Sequence, residues 1–259
     1  MHLQVMKKLI IGLGTGRCGS LSLSSFLSDQ QGIQVLHEGN INDKPNPFKW
    51  ENDYENILQW IEELENNSNS NSNSNQYFGD IGMYFLPYVS SLITQFPDIR
   101  FICLKRNRQE VINSFLVKTQ DRNHWCEHDG TIWKKDPVWD SVFPKFNEPD
   151  KAKVLGLYWD MYYEEIDRLI LEYPEHICCL STESLNSLIG RNEILDFIGY
   201  KGKRKVNGNY IKNKHDDFNS FYKNSLNILL WMGRHTLPKS VRHLLWKIIG
   251  KNLYNYINW

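Results

Sequence analysis

The stretch Lys7–Ser24 reads KKLIIGLGTGRCGSLSLS. Its apolar run Leu9-Ile10-Ile11 is too short for a helix and ends at Gly12, which marks a buried strand. Gly12, Gly14, Gly16 and Gly19 then fall within eight positions, and Ser20-Leu21-Ser22-Leu23 can open a helix. Glycines let the main chain approach a ligand closely, and the free N–H groups and dipole of a helix start face the same point. Strand, glycine-rich turn and helix N-terminus together predict an anion site for a phosphate or sulfate ester.

The spacing refines this. Gly14 and Gly19 stand as in the first half of a nucleotide-triphosphate loop, but Ser20-Leu21 follows where such a loop has Lys-Ser or Lys-Thr. The cation sits inside the loop instead, at Arg17, whose planar guanidinium can take an oxyanion through two parallel hydrogen bonds. An ATP- or GTP-using enzyme is thereby disfavoured. GTGRCGS resembles the 5′-phosphosulfate loop of the P-loop sulfotransferases, which carries a basic residue two before its glycine and a Ser or Thr just after; Arg17, Gly19 and Ser20 fall on those positions.

A second motif follows a later apolar run. Arg100–Leu104 (RFICL) reads as a strand, and LKRNRQEVINSF puts Arg106 at its end and Ser114 eight residues on, two turns into a helix. A cation and a hydroxyl near a helix start suit a phosphate dianion. RNRQEVINS resembles the family's second loop at Arg106, Asn107, Val111 and Ser114, although the proline expected after Arg-Asn is Arg108. On its own, Arg106 could equally pair with Glu110. CLSTESL and FIGY (197–200) echo a structural element of the family at Glu183 and Leu185. Lys203-Arg204-Lys205 lies where members have a late basic loop over the 3′-phosphate. The resemblance covers about residues 7–207.

It implies the donor 3′-phosphoadenosine-5′-phosphosulfate, with 3′,5′-adenosine bisphosphate as product and no required metal. By this resemblance Gly14, Thr15, Gly16, Arg17, Cys18, Gly19, Ser20 and Leu21 hold the phosphosulfate, while Arg106, Ser114, Arg204 and Lys205 hold the 3′-phosphate. In-line transfer needs a base for the acceptor's proton and cations for charge building on the leaving phosphate. Arg17 serves the second need. Glu38, at the end of the second strand, is the first choice of base. His37, with an imidazole matched to neutral pH, is next. Asp80 is third, in a Gly-Asp-Ile stretch near where cytosolic members carry a histidine. Strand alternation points His37 and Glu38 to opposite sides, so one of them faces the donor.

His124-x-Cys126-x-His128 lacks a further ligand at metal-site spacing, so no metal is assigned. With Trp125, Trp133 and Trp139 this segment forms either an acceptor lid or core. Apolar residues at helical spacing mark helices at 21–27, 57–64, about 86–96, 109–118 and 151–172, and further strands at 33–36 and 177–180. The tract 66–76, NNSNSNSNSNQ, reads as a flexible loop. Strands alternating with helices give an α/β fold: three layers, with a central parallel sheet of about four to five strands flanked by helices. Ligands to such sheets bind beyond the carboxyl ends of the strands.

At 259 residues the chain suffices for one large domain, taken as 1–215, with an extension over 216–259. Net charge is zero but segregated: residues 1–200 carry 18 Lys/Arg and 28 Asp/Glu, and 201–259 carry 12 and 2. The extension has Val241, Leu244, Leu245, Ile248 and Ile249 at helical spacing among Lys239, Arg242, Lys247 and Lys251. Such a basic amphipathic helix either packs on the acidic body or lies on a membrane surface. No apolar run has membrane-spanning length, no signal peptide is evident, and five cysteines without paired spacing suit a reducing compartment. The expectation is a cytoplasmic enzyme, at most peripheral to the inner membrane face. Its partner is a carbohydrate, glycolipid or small-molecule acceptor, not nucleic acid. The alternatives are a P-loop kinase, or an inactive nucleotide-binding or membrane-docking protein of the same fold.

Overall fold

The computed structural model describes residues 7–39, 46–71, 76–128, 133–208 and 210. Among them five strands form one parallel sheet: β1 (Lys8–Leu13), β2 (Ile33–His37), β3 (Tyr77–Ile81), β4 (Arg100–Lys105) and β5 (Ile177–Ser181). Their order is β2-β3-β1-β4-β5, so β1 is central. Helices α1 (Ser20–Ser28), α2 (Tyr54–Asn71), α3 (Val89–Gln95), α4 (Arg108–Lys118), α5 (Lys151–Glu172) and α6 (Leu188–Phe197) flank it. Alternate β1 side chains enter opposite layers, as a strand's period of two requires. Leu9, Ile11 and Leu13 pack with α2, α3, α4 and α5, while Ile10 packs with α1 and α6. The chain is thus a three-layer α/β fold.

The central position of β1 follows from sequence. All six of its residues are apolar or glycine except Lys8, and from Leu9 to Leu13 all are buried. The helix starts are written locally: Asn107 accepts hydrogen bonds from the Gln109 and Glu110 amides, and Asp150 accepts one from Lys153.

Three elements differ from the sequence expectation. Tyr77–Ile81, where no strand is expected from the sequence, is strand β3, and it inserts between β1 and β2. Its Gly79 hides the signal: a Cβ there would lie 1.7 Å from the Ile10 carbonyl oxygen, so the strand gives up a side chain for close approach. The helix expected at 86–96 begins as a 3-10 turn, Met83–Tyr88, containing Pro87, before α3. The tract expected to be a loop from 66 is helical as far as Asn71; extending an existing helix costs each Asn or Ser only a few tenths of a kcal/mol, about 0.5.

The described residues belong to one compact unit, Met1–Lys212. The expected extension 216–259 and its amphipathic helix lie outside the described residues. Among the described residues, no helix is long and apolar enough to cross a membrane.

Candidate active site

The segment joining β1 to α1 turns sharply at the carboxyl edge of the sheet. Gly14 and Gly19 have φ of 126° and 98°, and Arg17 itself has φ of 70°. A Cβ on Gly14 would lie 2.5 Å from the Leu104 carbonyl oxygen and 2.7 Å from Cys18 Sγ, so only glycine fits that approach. Helix α5 holds the turn from beneath. The Gly14 amide donates to the Tyr162 hydroxyl at 3.0 Å, and that hydroxyl donates to the Met83 carbonyl at 3.1 Å. Tyr163 donates to the Leu104 carbonyl at 2.7 Å and stands 3.4 Å from the Thr15 hydroxyl. Thr182 donates to the Cys18 carbonyl at 2.7 Å. Burial pushes the Cys18 thiol up to about 12, so it is a packing residue rather than a nucleophile.

Two cations converge on the turn. Arg17 Nε donates to Ser114 Oγ at 2.9 Å, and Arg106 donates to the Arg17 carbonyl at 3.1 Å. Burial lowers the Arg17 pKa first, and the Arg106 charge lowers it further, against the opposing pull of Glu38. Among the described residues, no carboxylate forms an ion pair with Arg17, whose Nε is bonded to the Ser114 hydroxyl. Two guanidinium groups drawn together at a glycine-rich turn and a helix start make a site that an oxyanion would relieve. Arg106 also pairs with Glu110 at 2.8 Å, the alternative its sequence left open. Arg108, in place of the expected proline, makes a two-pronged pair with Asp160 at 2.7 and 2.6 Å and ties α4 to α5. Ser20 and Leu21 open α1 on the other side of the turn.

The three candidate bases meet different fates. His37 Nε2 is 2.9 Å from Ser20 Oγ; burial lowers its pKa to about 4, so at neutral pH the ring is uncharged and serves the Ser20 contact. Glu38 has φ of 54°, which breaks strand alternation. The expectation that His37 and Glu38 point to opposite sides therefore does not hold: Nδ1 of one is 3.9 Å from Oε2 of the other. Burial first, then the Asp80 charge, raises the Glu38 pKa to about 7, against Arg17 and Lys118. Asp80 is fully buried, and its carboxyl accepts hydrogen bonds from the Gly39 and Ile81 amides (3.0 and 2.9 Å) and from the Tyr84 hydroxyl (2.7 Å). Its oxygens are committed to holding the ends of β2 and β3.

Arg204 and Lys205 are not brought to this site. Arg204 bonds Asn192 and Asp196 on α6, and Lys205 Nζ lies 3.6 Å from Asp29. Asp29 follows the C-terminal end of α1, nine residues from Ser20, roughly 13 Å along a helix. The residues His124 and His128 both grip Asp140, at 2.9 Å each, while Cys126 donates to the Glu148 carbonyl. The three therefore do not converge, and among the described residues no group of three or more such side chains could hold a metal. Trp125 is fully buried against Phe115, Phe143 and Tyr158, as core, whereas Trp139 is half-buried at its margin.

Sequence reasoning missed the α5 tyrosines. YWDMYY (158–163) carries them at i, i+4 and i+5, one stripe of a helix, but nothing in that spacing says that the stripe supports a loop 148 residues away.

The family model described as a sulfotransferase domain matches residues 9–177. Among solved structures, the chain is similar to a sulfotransferase from Alicyclobacillus acidocaldarius at 15% identity and a TM-score of 0.47, with 88% of this chain and 96% of that one covered. No curated protein matches the chain.

Proposed function

Because this chain belongs to the sulfotransferase-domain family, whose pattern spans its residues 9–177, we propose that it moves a sulfuryl group from 3′-phosphoadenosine-5′-phosphosulfate to a hydroxyl of a small-molecule or carbohydrate acceptor. One observation carries the reading. Arg17 and Ser114 are 97 residues apart in sequence and 2.9 Å apart in space, with Arg106 bound to the carbonyl of Arg17. The two motifs thus form one cationic site at the start of α1, which fits a donor with two anionic groups.

When bound, the donor supplies a sulfur centre whose bond to the leaving phosphate breaks as the acceptor oxygen bonds to it. The amides of Gly16, Arg17 and Gly19, with the Arg17 guanidinium, bind the phosphosulfate end and hold charge that develops on the leaving group. Arg106 and Ser114 bind the 3′-phosphate. Glu38 takes the acceptor's proton at its carboxylate; a carboxyl raised to about 7 is matched to that task at neutral pH. His37, neutral, positions Ser20. Asp80 anchors the strand ends and moves no proton. The five cysteines are free thiols, which suits a cytoplasmic enzyme.

Calorimetry with 3′,5′-adenosine bisphosphate and with ATP–Mg²⁺ tests the reading. Micromolar binding of the bisphosphate, lost in Arg106→Ala, is expected. Preference for ATP, or indifference to Arg106, overturns it in favour of a kinase. Tight bisphosphate binding without turnover on any acceptor makes the chain a nucleotide-binding protein of the same fold.

A further inference from the structure

Arg106 stands between β4 and α4 and belongs to neither. The first turn of α4 closes on the Asn107 carbonyl, which accepts from the Val111 amide at 3.1 Å, so the Arg106 carbonyl lies outside the helix. Trp159 of α5 takes it: the indole Nε1–H donates to that oxygen at 3.1 Å, across 53 residues of sequence. From this anchored main chain the arginine side chain reaches the Arg17 carbonyl at 3.1 Å and Glu110 at 2.8 Å.

The indole is itself held. Trp159, Tyr163 and Asp167 are spaced at i, i+4 and i+8, one stripe of α5. The Trp159 and Tyr163 rings lie 4.7 Å apart, with the Lys105 ammonium 5.4 and 5.0 Å from their centroids. That ammonium pairs with Asp167 at 3.8 Å. The stripe thus grips two consecutive residues, Lys105 by its side chain and Arg106 by its main chain. Two other ties fasten α5 here, Lys105 to Asp167 and Arg108 to Asp160. The Trp159 bond falls instead on the residue between them whose direction a bound anion depends on. A guanidinium stands at the end of a long side chain, so a small turn of its main chain becomes a large displacement at its head.

Resting on the assignment of Arg106 to the 3′-phosphate above, we propose that Trp159 is a positioning residue, whose indole N–H holds the Arg106 main chain so that the guanidinium meets the donor's 3′-phosphate. It touches neither the donor nor the acceptor and acts through Arg106 alone. Its effect is therefore confined to ligands that carry the 3′-phosphate.

Trp159→Phe removes the N–H and keeps an aromatic ring under Lys105; Trp159→Met, also without the N–H, carries the same expectation should the first variant not fold. Affinity for 3′,5′-adenosine bisphosphate should fall about 5-fold in calorimetry. Affinity for adenosine 5′-monophosphate, which lacks the 3′-phosphate, should not move. The donor's KM should rise by the same factor with kcat unchanged, because the 3′-phosphate is remote from the sulfur. Arg108→Ala, which cuts the tie of α4 to α5 without touching Arg106, should leave the preference for bisphosphate over monophosphate intact. Equal losses for the two nucleotides in the Trp159 variants, or no loss for either, overturn the proposal. So does an Arg108→Ala that shrinks the preference as much, since helix docking in general would then aim Arg106. If the unaltered protein shows no preference for the bisphosphate, the 3′-phosphate reading itself falls, whereas a preference indifferent to Trp159 removes Trp159 alone.

Discussion

Two basic clusters, Arg17 with Arg106 and Arg204 with Lys205, look alike in sequence and differ in how fully the fold pairs their cations. Around the loop, Arg17 meets a hydroxyl and the charge of a second guanidinium. Against α1 and α6, Arg204 meets the Asp196 carboxylate at 2.5 Å and the Asn192 amide oxygen at 2.9 Å, and Lys205 meets Asp29. In the first cluster Arg106 has a carboxylate partner, Glu110, and Arg17 has none among the described residues, whereas in the second both cations are paired. A site for an anion is recognised by what the fold withholds from its cations, not by how many it has.

The largest expected effect lies beside the first cluster. Glu38→Gln keeps the shape of the side chain and removes the proposed base, so kcat should fall by about 10²–10⁴ with donor binding retained. The sign of the pH dependence follows from the raised pKa: Glu38 is protonated and idle below about 7 and ionised above it. The rate of the unaltered enzyme should therefore climb as pH passes through about 7, and that limb should vanish in the variant. A limb persisting at the same midpoint would assign the proton to another group. Next, Arg17→Ala removes a charge-assisted donor, worth about 1.5–3 kcal/mol in binding, and should weaken the bisphosphate by roughly 10- to 100-fold in calorimetry.

Tyr162→Phe sharpens the comparison from the folding side. It leaves the Gly14 amide and the Met83 carbonyl buried without their partner, at a cost of about 1–3 kcal/mol. Thermal unfolding should show that loss even without ligand. An unchanged melting temperature would mean that the loop does not depend on α5.

How much of this was legible in the sequence depended on whether the cause was local. β1, the glycine turn and α1 were readable because an apolar run, positive-φ glycines and a helix start are each written within a few residues. The span of α5, 151–172, was readable for the same reason: a long run with apolar residues at helical spacing. β3 was not, because Gly79 is dictated by the Ile10 main chain of another strand. The site divided in the same way. Arg17, Arg106 and Ser114 were visible as ordered motifs. Glu38 and His37 were expected on opposite sides because alternation is a rule for strands, and Glu38 has already left the strand with φ of 54°. Asp80 was a candidate base by position, and what the sequence did not show is that its carboxyl accepts three hydrogen bonds at the ends of β2 and β3. The tyrosines could not be placed, since their partners lie far along the chain.

The smallest expected effect is the most exacting for the comparison. The Arg204–Asp196 pair is part-exposed, with side chains 31% and 68% accessible, so solvent screens it and Arg204→Ala should cost less than about 1 kcal/mol of stability. Because Arg204 is held against α6 and not at the loop, bisphosphate affinity should not move, and that null should persist at low salt, where a distant cation would be felt most strongly. Arg17→Ala and Arg204→Ala remove the same charge from the same protein, so any difference between them reports placement alone. If the two variants lose affinity equally, segment 203–205 reaches the bound anion, and the distinction between an Arg17 without a carboxylate and an Arg204 paired to one collapses. If only Arg17→Ala loses affinity, the carboxylates of α1 and α6 have already spent the second cluster on the fold.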